Sequence, residues 1–68
     1  MPEPGVKSRV KEYRTASGAT QAELAEIVDV SRQTIISIER GRYIPSLPLA
    51  LKLAQHFTCM VEDLFELA

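Results

Sequence analysis

Residues that begin or end helices divide this chain into short segments, and within each segment the apolar residues recur at helical spacing. Thr20-Gln21-Ala22-Glu23 has the pattern of a capping box, in which the hydroxyl and the carboxylate each accept a hydrogen bond from the other residue's backbone amide. Ser31 and Ser46 are placed to cap two later helices. Segments this short are not stable as isolated helices, so packing between them must stabilise the fold.

These signals predict an all-α five-helix bundle with no strand. The helices are expected over about 6–17, 21–28, 32–40, 47–57 and 61–67. Gly18 and Gly41 follow the first and third helices, where a C-terminal cap is expected. Residues 1–5 contain two prolines and a glycine and are expected to form a flexible arm. The 68 residues are enough for one domain, which we expect over 6–68.

The composition excludes several classes of protein. One cysteine, Cys59, rules out an internal disulfide framework and a four-cysteine zinc site. One histidine, His56, leaves little for metal binding or acid–base catalysis, so we expect neither an enzyme nor a cofactor. No apolar run approaches the roughly 20 residues that span a bilayer, and the N-terminus lacks a signal-peptide pattern. We therefore expect a cytoplasmic protein with no membrane partner.

Charge is distributed unevenly although the net charge is only −1. Basic residues form two groups, one near the start of the chain and one around the third predicted helix: Lys7, Arg9, Lys11 and Arg14, then Arg32, Arg40 and Arg42. A polyanion responds to a charged face and not to the average charge of the chain. An ordinary solvated helix face shows the same pattern, so charge alone does not identify a nucleic-acid-binding surface.

The second and third predicted helices are joined by a tight turn, and the third begins with polar residues. In this arrangement the start of the second helix of the pair can enter the major groove of DNA. Arg32, Gln33 and Thr34 open that helix and can donate hydrogen bonds to base edges. Gln21 begins the helix before it, where the positive end of the helix dipole favours a phosphate. The pattern favours a helix-turn-helix that binds DNA.

A series of short motifs in residues 6–67 resembles the phage-repressor-like helix-turn-helix family, of Xre/Cro type. The motifs are Thr20-Gln21-Ala22-Glu23-Leu24-Ala25, Val30-Ser31-Arg32-Gln33-Thr34-Ile35, Ile38-Glu39-Arg40-Gly41, Pro45-Ser46-Leu47, Ala50-Leu51-Lys52-Leu53-Ala54 and Glu62-Asp63-Leu64-Phe65. The resemblance implies a lambda-repressor-like fold and a transcriptional regulator of double-stranded DNA, expected to be a repressor.

The resemblance also implies roles for individual residues. The residues expected to contact bases are Arg32, Gln33, Thr34 and Ser37. The residues expected to contact the DNA backbone are Gln21, Ser31, Arg40, Arg42, Tyr43 and Arg9. Gln21 is expected to orient Gln33 as well, and Arg14 and Glu39 to form a structural ion pair. Each DNA-contacting residue could instead be an ordinary surface residue, and Tyr43 could pack over Pro45 for stability alone.

Three positions depart from the family pattern. Asp29 and Thr58 stand where relatives commonly have glycine, so we expect both to adopt a left-handed backbone, at a larger cost for the β-branched Thr58. Met60 stands where a serine or threonine usually caps the last helix. Loss of that cap is expected to weaken the start of the helix by about 1 kcal/mol.

One reading helix covers few base pairs, so we expect a homodimer on a palindromic operator. The fourth helix has more apolar residues than one core stripe needs, unless it is buried on all sides. The expected dimer contact is surplus apolar surface from the last helix and nearby residues, with Met60, Phe65 and Leu67. Two alternatives stay open: an antitoxin that uses the same domain for autoregulation, and a protein-interaction adaptor that does not bind DNA. We expect no small-molecule effector, because a chain of this size has little room for a pocket of several hundred Å³.

Overall fold

The computed structural model describes residues 5–68, so all of the predicted arm except Gly5 lies outside the described residues. Five helices are present in this part of the chain, with one short strand before the first and another after the last. In chain order the elements are β1 (Val6–Ser8), α1 (Val10–Ser17), α2 (Gln21–Ile27), α3 (Arg32–Glu39), α4 (Leu47–Phe57), α5 (Val61–Leu64) and β2 (Phe65–Leu67).

The two strands correct the prediction of an all-α bundle. β1 pairs antiparallel with β2, with Val6 opposite Leu67, Lys7 opposite Glu66 and Ser8 opposite Phe65. The first helix therefore begins at Val10 instead of residue 6, and the last ends at Leu64 instead of residue 67. The spacing from Val6 to Val10 fits a helix, but β1 has a hydrogen-bonding partner at the far end of the chain. Such long-range pairing overrides the local spacing. Apart from these two short strands, the regular elements of residues 5–68 are helices.

The core takes side chains from all five helices. The largest fully buried side chains are Leu24, Ile35, Ile38, Leu53, Leu64 and Val10. α4 buries Leu49, Ala50, Leu53 and Ala54 but leaves Leu47 and Leu51 exposed. It is therefore a helix with one buried face and not one surrounded by protein on all sides.

The predicted caps at the starts of α2, α3 and α4 are confirmed. The Thr20 hydroxyl accepts a hydrogen bond from the Glu23 amide at 3.0 Å, and the Glu23 carboxylate accepts from the Thr20 amide at 2.8 Å. Hydrogen bonds from the Thr20 backbone and side chain hold the pKa of Glu23 below its usual value. The hydroxyls of Ser31 and Ser46 accept from the third amide of their own helices.

The left-handed turns also occur where they were expected. Gly18 has φ of 81° at the end of α1, Asp29 has φ of 60° between α2 and α3, and Thr58 has φ of 56° at the end of α4. Met60 provides no side-chain cap to α5, as predicted. The Asp63 carboxylate partly compensates, because it accepts a hydrogen bond from the Met60 amide at 2.9 Å.

No helix within residues 5–68 is both long enough and apolar enough to cross a membrane. The same residues contain no group of three or more potential metal ligands. Cys59 packs against the core, and burial, followed by the nearby Asp63 charge, raises the pKa of its thiol.

Candidate nucleic-acid interface

The start of α3 projects polar side chains into solvent while the same helix is anchored in the core. Arg32 and Gln33 are exposed, and Thr34 and Ser37 are partly buried. Ile35 and Ile38, on the opposite face, are 0% and 1% exposed. Gln33 and Ser37 are one turn apart and share a face. The four residues with an expected base-reading role therefore lie on the outward part of one firmly packed helix.

The turn between α2 and α3 fixes the angle between the two helices. The Val30 amide donates to the Ala25 carbonyl at 2.9 Å, and Asp29 supplies the left-handed residue between them. Ala25 and Val28 are buried at the junction. Ser31 caps α3: its hydroxyl accepts a hydrogen bond from the Thr34 amide and also lies 2.9 Å from the Thr34 hydroxyl. The side chains of Ser31 and Thr34 are thus partly occupied by each other.

An ion pair joins α1 to the end of α3. Arg14 donates from Nε to Oε2 of Glu39 at 2.6 Å and from Nη2 to Oε1 at 3.2 Å. A third donor, Nη1, binds the Ala19 carbonyl at 3.0 Å. The two side chains are 14% and 4% exposed. The hydrogen bond to Glu39 raises the pKa of Arg14 above its already high value, so the guanidinium stays charged.

Gln21 contacts this ion pair and the start of α3. Its Nε2 donates to Glu39 Oε1 at 3.1 Å, and its Oε1 accepts from Arg32 Nη2 at 3.4 Å. Among the hydrogen bonds of residues 5–68, none joins Gln21 to Gln33, which was the expected contact. One N–H of the Gln21 NH2 group donates to Glu39, and the carbonyl oxygen at the other side of the amide faces the guanidinium of Arg32, which can only donate.

The residues after α3 form an exposed turn. The Arg42 amide donates to the Ser37 carbonyl at 2.9 Å, and Gly41 has φ of 71°. Arg40, Arg42 and Tyr43 all have exposed side chains. Two cations and a phenol thus follow α3 directly, and neither cation has an ion-pair partner within residues 5–68.

Arg9 has a different environment from the other expected phosphate contacts. It precedes α1, where its backbone amide donates to the Leu64 carbonyl at 2.7 Å. Its guanidinium lies 2.6 Å from the Glu66 carboxylate, and both side chains are more than 40% exposed, at 42% and 46%. A phosphate would have to compete with Glu66 for this side chain.

Several large apolar side chains outside α2 and α3 are exposed to solvent. Of the expected dimer residues, Met60 is 63% exposed, Leu67 is 73% exposed, and Phe65 is half-buried against the core. Leu47 and Leu51, which belong to the apolar surplus of the fourth helix, are exposed too, and so is Ile44, which the sequence did not single out. Ile44 and Leu47 line an apolar groove with Phe65, and Leu51 lines a second depression with Met60. The surplus of leucines in α4 was the available signal, because one core stripe does not use them all.

Comparison with known proteins identifies the family to which this arrangement belongs. The helix-turn-helix family HTH_3 matches residues 10–64, a span that begins with α1 and ends with α5. The chain belongs to the Xre-type helix-turn-helix family. It is therefore a transcriptional regulator with a helix-turn-helix DNA-binding domain, and proteins of this family bind double-stranded DNA.

Relatives of this helix-turn-helix protein occur in archaea and bacteria. The chain is 50% identical over 60 residues to an uncharacterized HTH-type transcriptional regulator of Methanocaldococcus jannaschii, covering 88% of this chain and 91% of the relative. It is 48% identical over 60 residues to the HTH-type transcriptional regulator YgzD of Bacillus subtilis, with coverage of 88% and 91%.

Solved structures show the same helix-turn-helix fold. The restriction-modification controller protein C.AhdI of Aeromonas hydrophila matches with a TM-score of 0.73 and 34% identity, covering 81% of this chain and 83% of that one. The SOS-response transcriptional repressor LexA of Eubacterium rectale matches with a TM-score of 0.79 and 33% identity, covering 85% of this chain. The match spans 62% of the LexA chain, so it concerns only part of that protein.

Proposed function

We propose that this helix-turn-helix regulator is a repressor that binds a palindromic operator as a homodimer, with α3 in the major groove. The observation that carries the proposal is the exposure of Arg32 and Gln33 at the start of α3, on a helix anchored by Ile35 and Ile38. Anchoring favours base recognition because the helix that carries these side chains needs no further ordering on binding. The structurally similar LexA is a transcriptional repressor, which supports the repressor assignment.

Within this proposal, Arg32, Gln33, Thr34 and Ser37 recognise bases. Arginine pairs with guanine O6 and N7, and glutamine pairs with adenine N6 and N7, each with about 1–3 kcal/mol of discrimination. Thr34 is held beside Ser31, at 2.9 Å between hydroxyls, so its methyl group is the part available for a thymine methyl. Ser37 lies one turn beyond Gln33 and would contact the adjoining step of the groove.

The proposed backbone contacts surround this helix. Arg40, Arg42 and Tyr43 follow α3, and their exposed side chains suit phosphate and sugar oxygens. Ser31 and Gln21 stand at the starts of α3 and α2, where backbone amides face outward. Arg9 is the weakest member of the set because Glu66 already occupies its guanidinium.

The proposed dimer contact is the apolar surface formed by Met60, Phe65 and Leu67, extended by Ile44, Leu47 and Leu51. Solvent exposure of this many large apolar side chains on a chain of 68 residues favours burial against a second copy. Two copies related by a two-fold axis would place their α3 helices about 34–36 Å apart, one turn of DNA.

Selection of bound duplexes from random DNA tests the proposal. We expect a two-fold symmetric site whose half-sites are one or more whole helical turns apart. Sedimentation of the complex should give two protein chains per duplex. An asymmetric single half-site bound by one chain would overturn the homodimer and the palindrome, and the absence of any enriched sequence would overturn base recognition.

A further inference from the structure

Four side chains form one hydrogen-bonded chain that runs from α1 through α3 and α2 back to the start of α3. Arg14 binds Glu39 at 2.6 Å, Glu39 accepts from Gln21 at 3.1 Å, and Gln21 accepts from Arg32 at 3.4 Å. The first two members are shielded from solvent and the last is exposed. The chain therefore connects a fixed internal ion pair to a side chain at the DNA-facing surface.

The hydrogen-bonding capacities of these groups allow only one orientation of the Gln21 amide. A carboxylate only accepts and a guanidinium only donates, whereas the amide has one end of each kind. Turning the amide over would set its oxygen against the Glu39 carboxylate and its NH2 group against Arg32, with a mismatch at both ends. Glu39 thus determines that the Gln21 carbonyl oxygen faces Arg32.

The contact to Arg32 leaves that residue able to bind DNA. At 3.4 Å it is long for an N–H···O hydrogen bond, so it directs the guanidinium without holding it tightly. A guanidinium has five N–H donors, and a two-point contact with guanine uses two of them. Arg32 can therefore keep its contact with Gln21 while it presents a pair of donors to a base.

We propose that Glu39 is a positioning residue for base recognition, acting through Gln21 to orient the Arg32 guanidinium toward a guanine edge in the major groove. Glu39 does not itself contact DNA in this proposal. The inference rests on the proposed function, in which Arg32 is a base-reading residue, and it gives the buried ion pair a role beyond stability.

The test compares affinities for two duplexes that differ at one base pair. The first is a duplex selected from random DNA, and the second is changed at the position whose preference Arg32→Ala removes. The ratio of the two Kd values measures discrimination at that position. We expect Arg32→Ala to lower this ratio about fivefold or more, the lower end of a two-point contact.

The variant Glu39→Gln tests the positioning role, and because it also removes the counter-charge of Arg14, the readout is the ratio of the two Kd values and not overall affinity or stability. The new amide can still accept from Arg14 through its oxygen, but it presents an NH2 group to Gln21 and so favours the reversed orientation of the Gln21 amide. We expect the ratio to fall about threefold, a part of the discrimination available to Arg32. Glu26→Gln, which removes an exposed carboxylate from α2, is the matched control and should leave the ratio unchanged.

A second substitution should restore what the first removes. In Glu39→Gln combined with Gln21→Glu, the carboxylate at position 21 accepts from the amide at position 39 and offers its other oxygen to Arg32. We expect the ratio to return to within about twofold of the parent value. Affinity for every duplex should fall, because the negative charge now lies closer to the phosphates. A purely structural role for Glu39 would not show this recovery.

Gln21→Met is an independent variant that keeps the Arg14–Glu39 pair and removes both contacts of the Gln21 amide. It tests the positioning role if Glu39→Gln does not fold. If Arg32→Ala lowers the ratio but either Gln21→Met or a folded Glu39→Gln leaves it unchanged, the positioning role of Glu39 is wrong and base recognition by Arg32 stands. If Arg32→Ala itself leaves the ratio unchanged, base reading by Arg32 is wrong, and the inference that depends on it is overturned too.

Discussion

Arg14 and Glu39 are 25 residues apart in sequence, yet the Arg14 Nε lies 2.6 Å from the Glu39 Oε2, with both side chains largely buried. The pair joins α1 to the end of α3. Removing one partner of such a pair leaves the other buried without a counter-charge, which is far more costly than loss of an exposed ion pair.

We therefore expect Arg14→Met to lower the free energy of unfolding by about 3 kcal/mol, measured by urea denaturation. Arg9→Met is the matched control, because it breaks the exposed pair with Glu66 and should cost less than about 1 kcal/mol. Equal losses for the two variants would contradict the assignment of a structural role to the Arg14–Glu39 pair.

Replacing the left-handed residue after α4, Thr58, by glycine should stabilise the fold. Thr58 has φ of 56°, and a β-branched residue in this left-handed region costs roughly 1–2 kcal/mol. Glycine removes that cost but recovers only part of it as stability, because its more flexible unfolded state loses more entropy on folding. We expect Thr58→Gly to raise the free energy of unfolding by about 1 kcal/mol. The opposite change, Gly18→Thr, should lower the free energy of unfolding by a similar amount, because Gly18 has φ of 81° although there is open space for a Cβ atom. A destabilised Thr58→Gly would show that its side chain matters more than its backbone strain.

Glu23 should make the stability of the fold depend on pH. Hydrogen bonds from Thr20 lower the pKa of this carboxylate in the folded state. A depressed pKa means that its stabilising contribution is present above the unfolded value of about 4.3 and is lost as pH falls through the folded value. In thermal melts we expect the Tm of the parent to exceed that of Glu23→Gln at neutral pH, with the difference shrinking on acidification. A difference that is independent of pH would contradict this capping role.

The apolar surface at Met60 and Leu67 should determine the oligomeric state. We expect sedimentation to show a dimer at tens of micromolar for the parent chain and a monomer for Leu67→Glu or Met60→Glu, because either change would bury a charge at the interface. Ile27→Glu serves as the control, since Ile27 is similarly exposed, at 54%, but lies on α2. Dimers that persist in both surface variants would place the interface elsewhere.

Local signals predicted the helices more accurately than the ends of the chain. Capping by Thr20, Ser31 and Ser46 depends on residues within one turn, so three helix starts were predicted to the residue. The pairing of Val6 with Leu67 depends on a partner at the other end of the chain, and nothing within Val6–Ser8 distinguishes that strand from a helical turn.

In the candidate interface, too, local features could be predicted and long-range partners could not. Exposure at the start of α3 follows from the Ser31 cap and the buried Ile35 and Ile38, all local features. The partner of Gln21 could not be predicted in the same way. It depends on where Glu39, 18 residues away, directs the amide, and the structure gives Arg32 as the neighbour instead of Gln33.

The central claim is that the start of α3 recognises bases while the turn after it binds the DNA backbone. The most direct measurement is the affinity of Gln33→Ala and Arg42→Ala for selected and unrelated duplexes over a series of salt concentrations. We expect Gln33→Ala to lose about 1–3 kcal/mol on the selected duplex only. Arg42→Ala should weaken binding to both duplexes about equally and reduce the salt dependence by the equivalent of about one phosphate contact. Two variants that lose affinity in the same way, on the same duplexes and with the same salt dependence, would contradict the account.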